Sequence, residues 1–182
     1  MKHDKRTAAR NRVDLLKGRI AEALVEAMFR RAGYAVSRTG RESQVQRLFR
    51  HGSDEFLPDF TIRKPVERPD SDRPLHQFVQ IEVKYRSDIA RFLNVDAARF
   101  FEHAKDWPDL YLIFVTDKRE PDRSCFQVLT GDADAPSTCD LHEVHDLDIY
   151  RSTVLEFEEL VTKLFALMAE HRSMIGTIAK FS

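Results

Sequence analysis

Cysteine is scarce: Cys125 and Cys139 are the only two in 182 residues. That excludes the disulfide framework of a small secreted domain, and a chain of this length does not need a single bridge, so both are read as free thiols. Long apolar runs are also missing. Nothing approaches the roughly 20 residues of a membrane-spanning helix, and the polar opening Met1-Lys2-His3-Asp4-Lys5-Arg6 has no signal-peptide core. The expectation is a soluble cytoplasmic protein without a membrane partner. With no internal repeat, low-complexity tract or interdomain linker, the chain reads as one domain, residues 13–182, behind a flexible basic N-terminus, residues 1–12.

Net charge is nearly absent too, at −1, but the distribution is uneven. Residues 1–50 carry 13 Lys/Arg against 5 Asp/Glu, or +8; residues 117–148 carry 3 against 9, or −6. A basic first third suits a polyanion such as a nucleic-acid backbone, whose binding weakens steeply with salt. A charged run is more often a solvated helix face, so charge alone assigns no function.

What is present is a pattern around Phe78 to Arg86. Val79, Ile81, Val83 and Tyr85 alternate with Gln80, Glu82 and Lys84, which predicts a strand with an acid and a base on one face. Leu57 to Ile62 reads as a second short strand, with Phe60 and Ile62 on one side and Asp59 on the other; if the two strands pair, the carboxylates of Asp59 and Glu82 meet. Among all lysines only Lys84 has a carboxylate two residues earlier, and of four Pro-Asp pairs only Pro58-Asp59 both precedes that site and lies in an apolar run. Pro58-Asp59 followed by Glu82-Val83-Lys84 resembles the PD-(D/E)xK nuclease superfamily.

Upstream, Val13, Leu16, Ile20, Ala23, Leu24, Ala27 and Met28 fall on one helical stripe that Gly33 closes. Glu22 projects only about 20° from Phe29, at the border of the apolar arc. The string Gly18-Arg19-Ile20-Ala21-Glu22, then Arg31 to Val36, resembles the opening of the Holliday-junction-resolvase-like branch of that superfamily, where such a helix supplies an extra acid. By that resemblance the acid is Glu22, with Glu26 as substitute; otherwise both are ordinary exposed glutamates.

Further elements follow from spacing. Tyr34 to Arg38 reads as a strand. Thr39 to Glu55 reads as a polar loop or a short helix near Val45 to Phe49, and the arginines of this region, Arg38 among them, are as suited to phosphate contact as to solvation. Pro65, Pro69 and Pro74 make Arg63 to Leu75 a surface excursion. Asn94 to Lys105 is expected to be a helix capped by Asn94, burying Val95, Ala98, Phe101 and Ala104. Leu110 to Val115 has the continuous apolar character of a central strand. Cys125 to Leu129 reads as another strand, and Val154 to Ala169 as a helix that packs Leu155, Leu160, Leu164 and Leu167 on the sheet. Cys139, His142 and His145 contain zinc-ligand residue types but no fourth ligand at a convincing spacing, so a metal there is not expected.

The order helix, three strands, helix, strand is that of the family core. The resemblance therefore implies a single three-layer α/β/α domain with a mixed central sheet and a restriction-endonuclease-like core (α-β-β-β-α-β). It implies a metal-dependent endonuclease that hydrolyses DNA, on branched or foreign DNA in recombination, repair or defence. Catalytic residues would be Glu22, Asp59, Glu82 and Lys84. Asp59, Glu82, the backbone carbonyl of Val83, and Glu22 would serve Mg²⁺, with Mn²⁺ as a substitute. Two oxygen-donor carboxylates that leave room for waters suit Mg²⁺ better than zinc. The alternatives are a non-catalytic DNA- or protein-binding module on the same fold, an RNA-directed activity, or a surface pair between Glu82 and Lys84 with no chemical role. A homodimer, with two sites for two strands, is an expectation by analogy alone.

Overall fold

A computed structural model of the chain describes residues 2–39, 57–66, 75–107 and 109–178. Nearly all of the expected loop or helix over Thr39 to Glu55 lies outside the described residues, as do Pro69, Pro74 and Pro108. Among the described residues the architecture is α/β, with a six-stranded mixed sheet in the order β1-β2-β3-β4-β5-β6 and four helices. In chain order these are α1 (Lys2–Arg31), β1 (Ala35–Arg38), β2 (Phe60–Val66), β3 (Leu75–Tyr85), α2 (Ile89–Val95), α3 (Ala97–Ala104), β4 (Leu110–Val115), β5 (Phe126–Thr130), β6 (Ser137–Asp140) and α4 (Arg151–Ile178). Two 3-10 turns, Leu141–Glu143 and His145–Leu147, lead into α4. Among the described residues no helix is long and apolar enough to cross a membrane.

Helix α1 begins at Lys2 rather than near Val13 and ends where expected. Gly33 adopts φ +89°, Tyr34 N donates to Phe29 O and Gly33 N to Arg30 O, the paired bonds of a Schellman cap that needs a residue able to enter the left-handed region. Its buried face is Ala21, Leu24, Val25, Met28 and Phe29. Ala23, Ala27 and Leu16 are exposed, so the stripe is rotated from the expected one toward the side that carries Glu22. Gly18 faces open space, where a Cβ would touch nothing; no close approach requires glycine there.

Strands β1, β2 and β3 form an antiparallel meander; β4 runs parallel to β3, and β5 and β6 return antiparallel. The parallel β3–β4 pair requires a crossover, supplied by α2 and α3. The hairpin is longer than the proline count suggested: β2 continues through Pro65, opposite His76. Because β1 pairs with β2 only as far as Arg63, no described strand lies on the β1 side of Pro65, and its missing N–H costs no ladder bond among the described residues.

Alternation along β4 divides the core. Ile113 and Val115 join Val79, Ile81 and Val83 under α1 and α4, whereas Leu112 and Phe114 pack against Phe92, Ala97 and Phe100 of α2 and α3. Helices thus cover both faces, and β4 has the two-sided burial expected of it. Burial of the large side chains here, Phe29, Phe60, Phe114, Phe126 and Phe165, stabilises by about 1.5–3 kcal/mol each.

Two helix assignments change. The expected helix after β3 is two short ones that meet at Asp96, and the capping side chain is Asp88, which accepts from Arg91 N at 2.8 Å, not Asn94, which lies inside α2. Ala97 and Phe100 are buried, while Val95 and Ala98 are exposed. In α4 the buried positions are Val154, Phe157, Val161 and Phe165; Leu155, Leu160, Leu164 and Leu167 are exposed. The helix turns its aromatic and β-branched side chains to the sheet, and leucine, an excellent helix former, occupies its outer face.

Candidate functional site

The β2–β3 register builds the site. Phe60 pairs with Ile81, which sets Asp59, one residue before β2, opposite Glu82. Phe60 and Ile81 are buried toward α1, so the alternation of the pleat turns Asp59, Glu82 and Lys84 to the other face. Three contacts hold the end of β2 there. Thr39 N donates to Asp59 O at 3.0 Å, Val83 N donates to Asp59 Oδ2 at 2.8 Å, and Thr61 Oγ1 donates to Gln80 Oε1 at 2.8 Å.

Lys84 Nζ lies 2.6 Å from Glu82 Oε1, the Glu82 side chain being 10% exposed and that of Lys84 26%. Burial, and then the negative charge of Asp59, push the Glu82 pKa up to about 7 against the pull of Lys84. Asp59 is also raised, first by burial and then by the charge of Glu22, although the Val83 N–H and Lys84 counter this. Two carboxylates are thus pressed together around one ammonium group, and both keep their protons to higher pH than ordinary carboxyl groups do.

From α1, the charge of Glu22 is felt at Asp59. The Glu22 carboxylate pairs with Arg19 at 3.2 Å and Arg38 at 3.8 Å. Glu26 also engages Arg38, and Arg30 at 2.9 Å. Burial works against the Glu26 carboxylate, yet the two guanidinium groups hold it below its ordinary pKa. Glu22 is therefore the acid whose charge reaches Asp59, and Glu26 orders Arg38. The structure brings Asp59, Glu82 and Lys84 together; Glu22 acts on Asp59 through its charge, while its ion pairs are with Arg19 and Arg38. The position of Arg38 against α1 follows from β1 pairing Arg38 with the buried Phe60, a register that the sequence does not display.

The donor set fits a hard divalent ion. Gln80 N donates to Asp109 O and Arg86 N to Val115 O, both toward β4, while Val83 N turns the other way, to Asp59. A strand residue presents its N–H and C=O to the same side, so the Val83 carbonyl also faces this side, past the last β2–β3 pair. Two carboxylates and a carbonyl leave positions for waters, as Mg²⁺ prefers. Among the described residues no group of three or more His, Cys, Asp or Glu forms a metal-holding cluster. Cys139 lies in β6, and His142 and His145 in the successive 3-10 turns.

The opposite face of β3 carries a different arrangement. Lys17 Nζ lies 2.9 Å from Tyr85 Oη and 2.5 Å from Asp117 Oδ2, and Tyr85 Oη donates to Asp117 Oδ1 at 2.8 Å. The ammonium stands over the Tyr85 and Phe165 rings, at 4.9 and 5.0 Å. Each charge here has its partner, which makes this a tie between α1, α4 and the strand ends.

No protein-family model, curated protein or solved structure matches the chain.

Proposed function

We propose that this chain is a Mg²⁺-dependent deoxyribonuclease of the PD-(D/E)xK type, built on a restriction-endonuclease-like core. One observation carries the reading: Asp59 and Glu82 face each other across the β2–β3 pairing with Lys84 at 2.6 Å and too little positive charge for both acids. The run α1, β1, β2, β3, α2/α3, β4 is in keeping with it.

Asp59, Glu82 and the Val83 carbonyl would hold the ion, which supplies positive charge to the attacked phosphate and acidifies a water. Lys84 sets an ammonium group beside the reacting phosphate, where it orients the attacking water or balances charge that develops on phosphate oxygens. The Val83 N–H holds the Asp59 carboxylate in place against Glu82. Glu22 adds negative charge that favours a cation, and Arg38 limits that charge while no cation is bound. Two copies of the chain would address two strands.

The test is cleavage of labelled single-stranded, duplex and four-way-junction DNA with Mg²⁺, Mn²⁺ or chelator, by wild type and by Asp59→Ala and Lys84→Ala. Metal-dependent cutting lost in both variants supports the proposal. A second reading is a DNA-binding module without hydrolysis, favoured by the +8 charge of residues 1–50. Binding without cutting under any metal would select it.

A further inference from the structure

A cleft of about 910 Å³ opens beside the site, between the β3–α2 connection and the β5–β6 hairpin. Its volume is at the upper end of ligand-sized cavities, but charged and polar side chains, Arg86, Arg91, Lys118, Arg123 and Gln127 among them, line it, with the acids Asp88, Asp96 and Glu120. Asp88 caps α2, and Asp96 and Glu120 are exposed. Arg123 is fully engaged by Asp140, Gln127 and Thr138.

Arg86 is different. It is half-buried; among the described residues it pairs with no carboxylate and its guanidinium donates once, to its own neighbour's carbonyl, Tyr85 O, at 2.8 Å, and it lies 5.5 Å from the centroid of the buried Phe92 ring. Four of five N–H donors therefore remain, on a planar group already oriented by an aromatic face. Such a fork matches the paired oxygens of a phosphodiester. Because Arg86 N still bonds to Val115 O, the strand geometry persists to this residue, and Arg86 lies on the same face as Glu82 and Lys84. The separation from Lys84 is two residues, roughly 7 Å, so one strand of nucleic acid crossing the sheet end would meet both side chains.

We propose that this cleft takes a single strand of DNA, with Arg86 gripping a phosphodiester next to the one at Lys84 and Lys118 and Arg91 as weaker contacts on the rim. The inference rests on the nuclease reading, since it names the path of that substrate.

The experiment measures binding of a fluorescein-labelled single-stranded 20-mer, by anisotropy in chelator across a KCl series, so that no cleavage is needed. Arg86→Gln weakens binding about tenfold and makes the slope of log K against log salt shallower by about 0.7, one phosphate on a single strand. Arg86→Lys restores the slope but only part of the affinity. Lys118→Ala, on the exposed rim, moves both in the same direction by less and guards against misfolding of the Arg86 variant. An unchanged affinity and slope in Arg86→Gln overturns the proposal, as does tighter binding of an RNA strand of the same sequence. If wild type and variant differ in this way but nothing is cut with Mg²⁺, the cleft stands and hydrolysis falls. If cutting is seen while Arg86→Gln binds as wild type, hydrolysis stands and the cleft falls. Failure of wild type to bind any DNA removes both.

Discussion

Glu82 and Glu158 are buried to almost the same degree, 8% and 6% exposed, yet they keep opposite company. Glu158, on α4, accepts from Ser124 Oγ at 2.5 Å and Cys125 N at 3.0 Å and pairs with Arg119 at 3.0 Å. Three donors converge on a carboxylate with no competing acid in contact among the described residues, which ties α4 to the start of β5. Glu82 has one cation, Lys84, and a second carboxylate, Asp59, against it. Burial removes water from both, but only Glu82 is left short of positive charge. The difference separates an acid that ties α4 to β5 from one left short of positive charge, as the proposed metal site requires.

The comparison breaks most visibly at Lys84. Lys84→Ala is expected to lower metal-dependent cleavage by at least about 100-fold, with melting at neutral pH changed little, because Glu82 can respond by keeping its proton. A large fall in melting temperature with normal cleavage per folded molecule would make Lys84 a structural residue. Glu158→Ala should do the reverse. Loss of the acceptor for Ser124 and Cys125 costs about 3 kcal/mol, which calorimetry would register as a fall in Tm of roughly 6–12 °C, while cleavage per folded molecule is retained.

A smaller effect concerns pH. The Glu82 pKa in the folded chain, about 7, stands above the ordinary 4.5. Stability from this group is therefore complete below about pH 4.5 and is lost as pH rises through about 7. In chelator, Glu82→Gln should remove that loss and melt above wild type at pH 8, by on the order of 1–2 kcal/mol, with the advantage gone near pH 4.5. An advantage that grows toward acid would contradict the assignment. Smallest of all, Asp88→Ala removes only a helix cap and should cost about 1 kcal/mol in urea denaturation.

Much of this contrast was legible where a pattern is local. The period-two alternation of Val79 to Tyr85, the apolar run of β4 and the glycine stop at Gly33 each need only neighbours in sequence. Asp59 opposite Glu82 was legible as a condition on strand pairing, which the observed register meets. Glu158 was not, because its donors come from Arg119, Ser124 and Cys125, more than 30 residues away. The buried face of α4 was misread for a related reason: leucines and phenylalanines both offer apolar arcs, and only the shape of the sheet beneath selects Phe157, Val161 and Phe165. Pro65 misled because proline forbids a strand only where both neighbours are present. Arg38 was visible as one arginine among several, but its pairing with Glu22 and Glu26 depends on how β1 lies against α1.

The central claim is that Glu82 is a buried carboxylate in want of a cation, and carboxyl-carbon NMR of a sample labelled at glutamate tests it directly. With chelator present the Glu82 resonance should titrate near pH 7, and with saturating Mg²⁺ the midpoint should fall by a pH unit or more, since a bound cation favours the carboxylate. A midpoint in the ordinary carboxylate range without metal, or one near 7 that Mg²⁺ does not move, would contradict the account.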